Sequence, residues 1–216
     1  IVYDVFSVGN FFNRTDSDSR FVRHDSATAG TDNFIAGNNA GNAIASGGNF
    51  NTLVGNEAGE ALTTGDQNVA VGYQALEDND EGIRNVAIGT TALTSDTKGE
   101  ASTAIGHGAL YAQNFTSSTS SHNTAVGYHA GVNVTTGQQN TLIGGLSGDA
   151  ITDADGNVAI GYNALTTNVL GSQSVAVGKG ALKMQNPASA TTMYNTAVGD
   201  AAGKEVTTGQ GNTLIG

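Results

Sequence analysis

Few residues in this 216-residue chain are of the types that do chemistry, and their spacing does not gather them. There is no Cys, so neither a thiolate nucleophile nor a thiolate ligand is available. The four His (His24, His107, His122 and His129) have no carboxylate partners at a recognisable metal-ligand spacing. Asp153-Ala154-Asp155-Gly156-Asn157 begins like a calcium loop but lacks the downstream Glu and the remaining spacing, so it reads as a turn. The chain is expected to be no enzyme, with no metal and no cofactor.

The residues left for recognition are mostly aromatic. Tyr73, Tyr128 and Tyr162 occupy the same place in a recurring phrase, a place where other copies carry Thr90, His107, Gly145, Lys179 and Asp200. Such variety predicts exposure, and exposed Tyr rings could stack on sugar rings. A second candidate group lies in two enlarged segments, Tyr111 to His122 and Lys183 to Tyr194, which share a Gln-Asn pair (Gln113-Asn114 and Gln185-Asn186). Inserted residues in a stacked repeat stand off as loops, and that face often binds. Phe115, Ser117, Thr119, Met193 and Tyr194 are therefore candidate receptor contacts.

The element that must position all of these is the phrase itself, Asn68-Val69-Ala70-Val71-Gly72-Tyr73-Gln74-Ala75-Leu76. Copies starting at 51, 68, 85 and 102 are 17 residues apart, as are those at 123, 140, 157 and 174 and the pair at 195 and 212. The steps from 102 to 123 and from 174 to 195 are 21, so units 102–122 and 174–194 each carry four extra residues. A short, strict period predicts an all-β, parallel β-roll or β-solenoid of about 17 residues per coil.

Within the phrase the second and fourth positions are mostly β-branched and share one face of a strand, while the third position and the following Gly form a nearly bare second face. A bare face repeated coil after coil suits the close approach of another chain. The expected oligomer interface is thus Ala70 and Gly72, Ala87 and Gly89, Ala104 and Gly106, Ala125 and Gly127, Ala159 and Gly161, and Ala176 and Gly178; the alternative is that these small residues fit a cramped coil interior. Where a unit is small at both its third and ninth positions (Ala125 with Gly131, Ala197 with Gly203), the next unit carries Leu142 or Leu214, predicted to fill the space below.

Composition supports a narrow coil: 31 Gly, one Pro, no Trp and 6% aromatic residues leave too little bulk for a deep core. Only 12% of residues are charged, so surface polarity comes from Asn, Thr, Ser and Gln, as suits an extracellular fibre. The net charge of −11 argues against nucleic acid as a partner, whose phosphates need Lys and Arg, and against anionic membranes. No apolar run approaches the roughly 18 residues of a membrane span, so no membrane insertion is expected. Residues 1–32 lie outside the repeat and read as an N-terminal cap or connector, with a strand over Ile1 to Phe6 and a polar turn over Asn13 to Arg20. The repeat domain is 33–216, and the chain looks like a piece of a longer polypeptide.

From Asn123 through Thr135-Thr136-Gly137 to Gly144, the sequence NTAVGYHAG…TTG…NTLIG resembles the arrays of phage tail fibres and the head repeats of trimeric autotransporter adhesins. The resemblance covers about 33–216 and implies a left-handed β-roll with three chains intertwined or side by side. It also implies a fibre outside the cell, on a virion or a microbial surface, whose partners are its own copies, other fibre or virion proteins, and a host-surface glycan or protein receptor. The longer coils, the two enlarged units and the lack of a coiled-coil stalk or anchor barrel favour the phage-fibre version, a structural and receptor-binding segment for host attachment. One alternative is a microbial surface or matrix filament that polymerises without a receptor. A remote one is a hexapeptide-type acyltransferase, because Val71 to Leu76 fits that hexad once per coil where those enzymes need it three times.

Overall fold

The computed structural model describes residues 30–216 together with the strand Val22–Arg23; the expected strand at Ile1 to Phe6 and turn at Asn13 to Arg20 fall outside these residues. The strands in chain order are β1 (Val22–Arg23), β2 (Phe34–Ala36), β3 (Thr52–Val54), β4 (Val69–Val71), β5 (Val86–Ile88), β6 (Gly99–Glu100), β7 (Thr103–Ile105) and β8 (Thr119–Ser120). They continue as β9 (Thr124–Val126), β10 (Thr141–Ile143), β11 (Val158–Ile160), β12 (Gly171–Ser172), β13 (Val175–Val177), β14 (Thr191–Thr192), β15 (Thr196–Val198) and β16 (Thr213–Ile215).

One phrase forms one strand, and each strand pairs in parallel with the strand of the next coil, so that Ala70 meets Ala87 and Ala87 meets Ala104. The long units do not break this register: Ala104 still pairs with Ala125 across the step of 21, and Ala176 with Ala197. The result is an all-β parallel solenoid of about 11 coils and about 17 residues per turn, with no helix among the described residues. At its start, β1 lies antiparallel against β2. The enlarged segments pair with the coil before each in two side ladders, β8 with β6 and β14 with β12.

The core is inside the coil, and it is built from the small face of the strand. Ala70, Ala87, Ala104, Ala125, Ala159 and Ala176 are fully buried and join one hydrophobic cluster with Ala75, Leu76, Leu93 and Leu110. Those side chains cannot reach a second chain, which corrects the expected interface: the Ala/Gly face is the inside of the roll. The glycines that follow (Gly72, Gly89, Gly106, Gly127, Gly161 and Gly178) serve the stack. A Cβ on Gly72 (φ +137°) would sit 2.6 Å from the carbonyl oxygen of Gly89 in the next coil, so only Gly lets the coils close to strand spacing there.

Two recipes fill the narrow interior. Where the ninth position is Leu (Leu76, Leu93, Leu110, Leu165, Leu182), the twelfth is a buried polar residue: Asn79, Asp96, Gln113, Asn168 or Gln185. Where the ninth is Gly, the twelfth is apolar, as in Gly59 with Leu62, Gly131 with Val134 and Gly148 with Ile151. The predicted filling by the unit above also holds: a Cβ on Gly131 would lie 2.5 Å from Leu142 Cδ1, and one on Gly203 would lie 2.5 Å from Leu214 Cδ1.

The first residue of the phrase is as buried as the core. From Asn51 to Asn195 each Asn accepts the backbone N–H of the first residue one coil on (Asn68 N to Asn51 Oδ1, 2.8 Å; Asn85 N to Asn68 Oδ1, 2.9 Å) and donates to the carbonyl fourteen residues on (Asn68 Nδ2 to Gly82 O, 2.9 Å). This ladder satisfies backbone groups that the turns leave unpaired. It is interrupted only at Ser102 and Ser174, the first residues of the two long units. There the shared Gln enters the core: Gln113 donates to Ser102 Oγ (2.8 Å) and accepts from Asn123 Nδ2 (2.8 Å), and Gln185 does the same with Ser174 (3.1 Å) and Asn195 (2.9 Å). The shortened ladder residue and the buried Gln occur together in both long units.

Candidate binding edge

The solenoid presents outward three surfaces that could recognise something. The first is the outer face of the long sheet. Because the Ala row points in, the β-branched rows point out, and the fourth position runs Val54, Val71, Ile88, Ile105, Val126, Ile143, Ile160, Val177, Val198 without a polar residue. Ile88 and Ile143 are 37% exposed and Val198 41%, even with neighbouring coils stacked on either side.

The second surface is the turn edge formed by the sixth, seventh and tenth positions. Tyr73, Tyr128 and Tyr162 all lie here and are about half exposed. Tyr128 stacks on His129 with ring centroids 4.0 Å apart and 14° between planes, and His107 lies against both, at 5.5 and 5.2 Å. Gly108 permits this, since a Cβ there would stand 2.6 Å from His129 Cδ2. Tyr73 and Tyr162 are on the same edge but outside that stack.

Charge is segregated along the edge. Near its start Glu57, Glu60 and Glu77 bring carboxylate oxygens within 4.8 Å of one another, and Gln74 Nε2 donates to Glu57 (3.0 Å) and Glu77 (3.1 Å). Partial burial and then the neighbouring Asp78, Glu57 and Glu60 push the Glu77 carboxyl up. Such a trio could hold a hard cation through oxygen ligands. Near the other end Tyr162, Asn163, Lys179, Gly180, Lys183, Asp200, Ala201 and Lys204 line a cleft of about 220 Å³. Lys204 is separated from Lys179 and Lys183 by one long unit in sequence, and only aligning the units places Lys183 and Lys204 both at the tenth position of successive coils.

The third surface carries the two enlarged loops, and here the expected contacts divide. Ser117 is exposed and Thr119 half-buried, its hydroxyl donating to the Ser117 carbonyl (3.0 Å); Tyr194 is 65% exposed. Phe115 and Met193 are buried, at 5% and 0% exposure, which removes both as receptor contacts. They are apolar because they seal the base of each loop. The loops and the tyrosine edge are formed by different parts of the coil, so the eight candidates do not make one site.

Beneath the first loop lies Asp96, the one deeply buried acid among the described residues. Asp96 accepts from Gly99 N (3.0 Å), Phe115 N (3.0 Å) and Gln113 Nε2 (2.6 Å). Burial pushes its carboxyl above the ordinary range, against the lowering effect of those three donors. The coil before the second long unit has Asn168 at the place matching Asp96, and the second long unit has Pro187 where Phe115 stands. Proline has no N–H to give, and the acid is replaced by an amide whose Nδ2 donates to Gly171 O (2.7 Å). Donor supply and acceptor charge thus change together.

Fold and surface define a parallel β-solenoid repeat protein with an aliphatic outer face and a polar, aromatic turn edge. No protein-family model, curated protein or solved structure matches the chain.

Proposed function

We propose that this chain is the structural and receptor-binding segment of a homotrimeric extracellular fibre of the phage tail-fibre kind, with the outer Val/Ile face of the sheet as the seam between chains. The observation that carries this reading is the unbroken aliphatic row at the fourth position, partly exposed along the whole length of the sheet. Leaving such a stripe in water is unfavourable, by about 25 cal/mol for each Å² of apolar surface that a partner would cover. A second copy is the occupant that fits, because its own row has the same rise per coil and the same length. The tyrosine edge and the loops then remain outside, available to a host-surface glycan or protein.

Sedimentation equilibrium tests the seam. The expected mass is about 65 kDa, three times the 21.7 kDa of one chain, and Ile88→Lys with Ile143→Lys is expected to give monomers that keep the β-sheet circular dichroism. A monomeric wild-type protein, or a double variant that remains trimeric, overturns the proposal. Mass that climbs steadily with concentration favours instead the filament that polymerises without a receptor.

A further inference from the structure

We infer that the lysine-lined cleft near the end of the turn edge binds an anionic sugar ring, a pyranose bearing a carboxylate or sulfate. The inference rests on the fibre reading above only for its setting and refines it by naming a ligand class and a place. The chain carries net charge −11 and four Lys, yet three of those four, Lys179, Lys183 and Lys204, line this one cleft.

Other basic side chains of the solenoid are paired with carboxylates, Lys98 with Glu81 (3.0 Å) and Arg84 with Glu100 (3.4 Å). Among the described residues Lys179 and Lys183 have no carboxylate within 4.0 Å, and Lys204 reaches only its chain neighbour Glu205, at 3.7 Å. Even Asp200, which lines the same cleft, forms no ion pair with them. Three ammonium groups against the single lining carboxylate of Asp200 make a local positive field on an acidic molecule, and such a field attracts an anion.

The hollow has a definite cause. At the seventh position most coils carry a bulky residue such as Gln74, His129 or Leu146, but here two successive coils carry Gly180 and Ala201. A Cβ at Gly180 would meet nothing within 4 Å, in contrast to Gly108, whose space His129 fills. Tyr162 forms one wall and offers an aromatic face to the apolar side of a pyranose. Asn163 and Asp200 supply hydrogen-bonding groups for hydroxyls. At about 220 Å³ the cleft is smaller than the roughly 300–1,000 Å³ that encloses drug-sized ligands, which suits one ring of a longer glycan.

Calorimetric titration of the assembled protein with a hyaluronan oligosaccharide, a heparin oligosaccharide and neutral maltohexaose tests this. At least one of the acidic probes is expected to bind, weakening as salt is raised, while maltohexaose does not. Lys179→Gln with Lys183→Gln should weaken the acidic probe about tenfold or more, whereas Lys98→Gln leaves it unchanged. Tyr162→Ala should weaken the oligosaccharide and leave binding of inorganic sulfate as it was. Equal binding of maltohexaose, no binding of either acidic probe, or an equal loss in Lys98→Gln overturns the inference, and an unchanged affinity in Tyr162→Ala overturns its sugar component. Sedimentation of the same samples reads the trimer separately, so either proposal can fail while the other stands.

Discussion

At the scale of single residues, the two long units and the coil before each form an internal comparison. Asp96 exists where Phe115 has an N–H to donate, and Asn168 where Pro187 has none. The charge on Asp96 carries a pH signature with a definite sign. A folded-state pKa raised above the ordinary 3.8 means stability that is full below that value and lost as pH rises through the folded pKa. Relative to Asp96→Asn, the wild-type protein is therefore expected to lose stability as pH rises from about 3.8, then to run parallel. Thermal midpoints of the two proteins across acid pH check this; a wild type that gains on the variant would mean that the three N–H donors outweigh burial. Asp96→Asn should also leave Gln113 Nε2 or Phe115 N without an acceptor, a cost of about 1–3 kcal/mol that combining it with Phe115→Pro should partly recover.

At the scale of the coil, packing is a matter of complementary rows. Leu142 fills the hollow over Gly131 and is fully buried. Leu142→Ala should cost about 2–5 kcal/mol, since the surrounding coils are pinned by their ladders and cannot collapse into the void. An unchanged denaturation midpoint would show that the stack relaxes. The loops are expected to behave differently. Residues 116–118 and 188–190 are exposed and make no contribution to the long sheet, so a six-residue Gly/Ser insertion between Ser117 and Ser118 should cost on the order of 1 kcal/mol or less, read as a small shift in thermal midpoint. A large loss would mean that the side ladder of Gly99–Glu100 with Thr119–Ser120 is needed to hold the coil.

For the whole molecule, the period made architecture readable before any coordinates: a strict repeat at 17 and 21 residues allows little except stacked coils in register. Alternation told that Val69 and Val71 share one face and Ala70 the other, but not which face turns inward. The width of the coil decides that. A turn of about 17 residues encloses so narrow a space that the small face of the strand and little more than one larger side chain per coil, such as Leu76 or Leu93, fill it, and the Val and Ile rows of the strand are displaced outward. Phe115 and Met193 misled for the opposite reason, since apolar residues in an insert look like contacts until the insert is seen to need a floor. The lysine cleft was hidden by counting along the chain rather than up the rows, where Lys183 and Lys204 are neighbours.

The long units keep strand register across a step of 21 as faithfully as the short ones do across 17, with Ala104 opposite Ala125 and Ala87 opposite Ala104. Length can therefore be added at the two loops without renumbering any row above them. In evolutionary terms the shaft and its variable parts are separate inheritances: a lineage can rewrite what 116–120 or 188–192 displays, by point change or by insertion, while the coils that carry it stay under constant selection. Variation between close relatives should concentrate there and at the sixth position, and spare the Asn ladder.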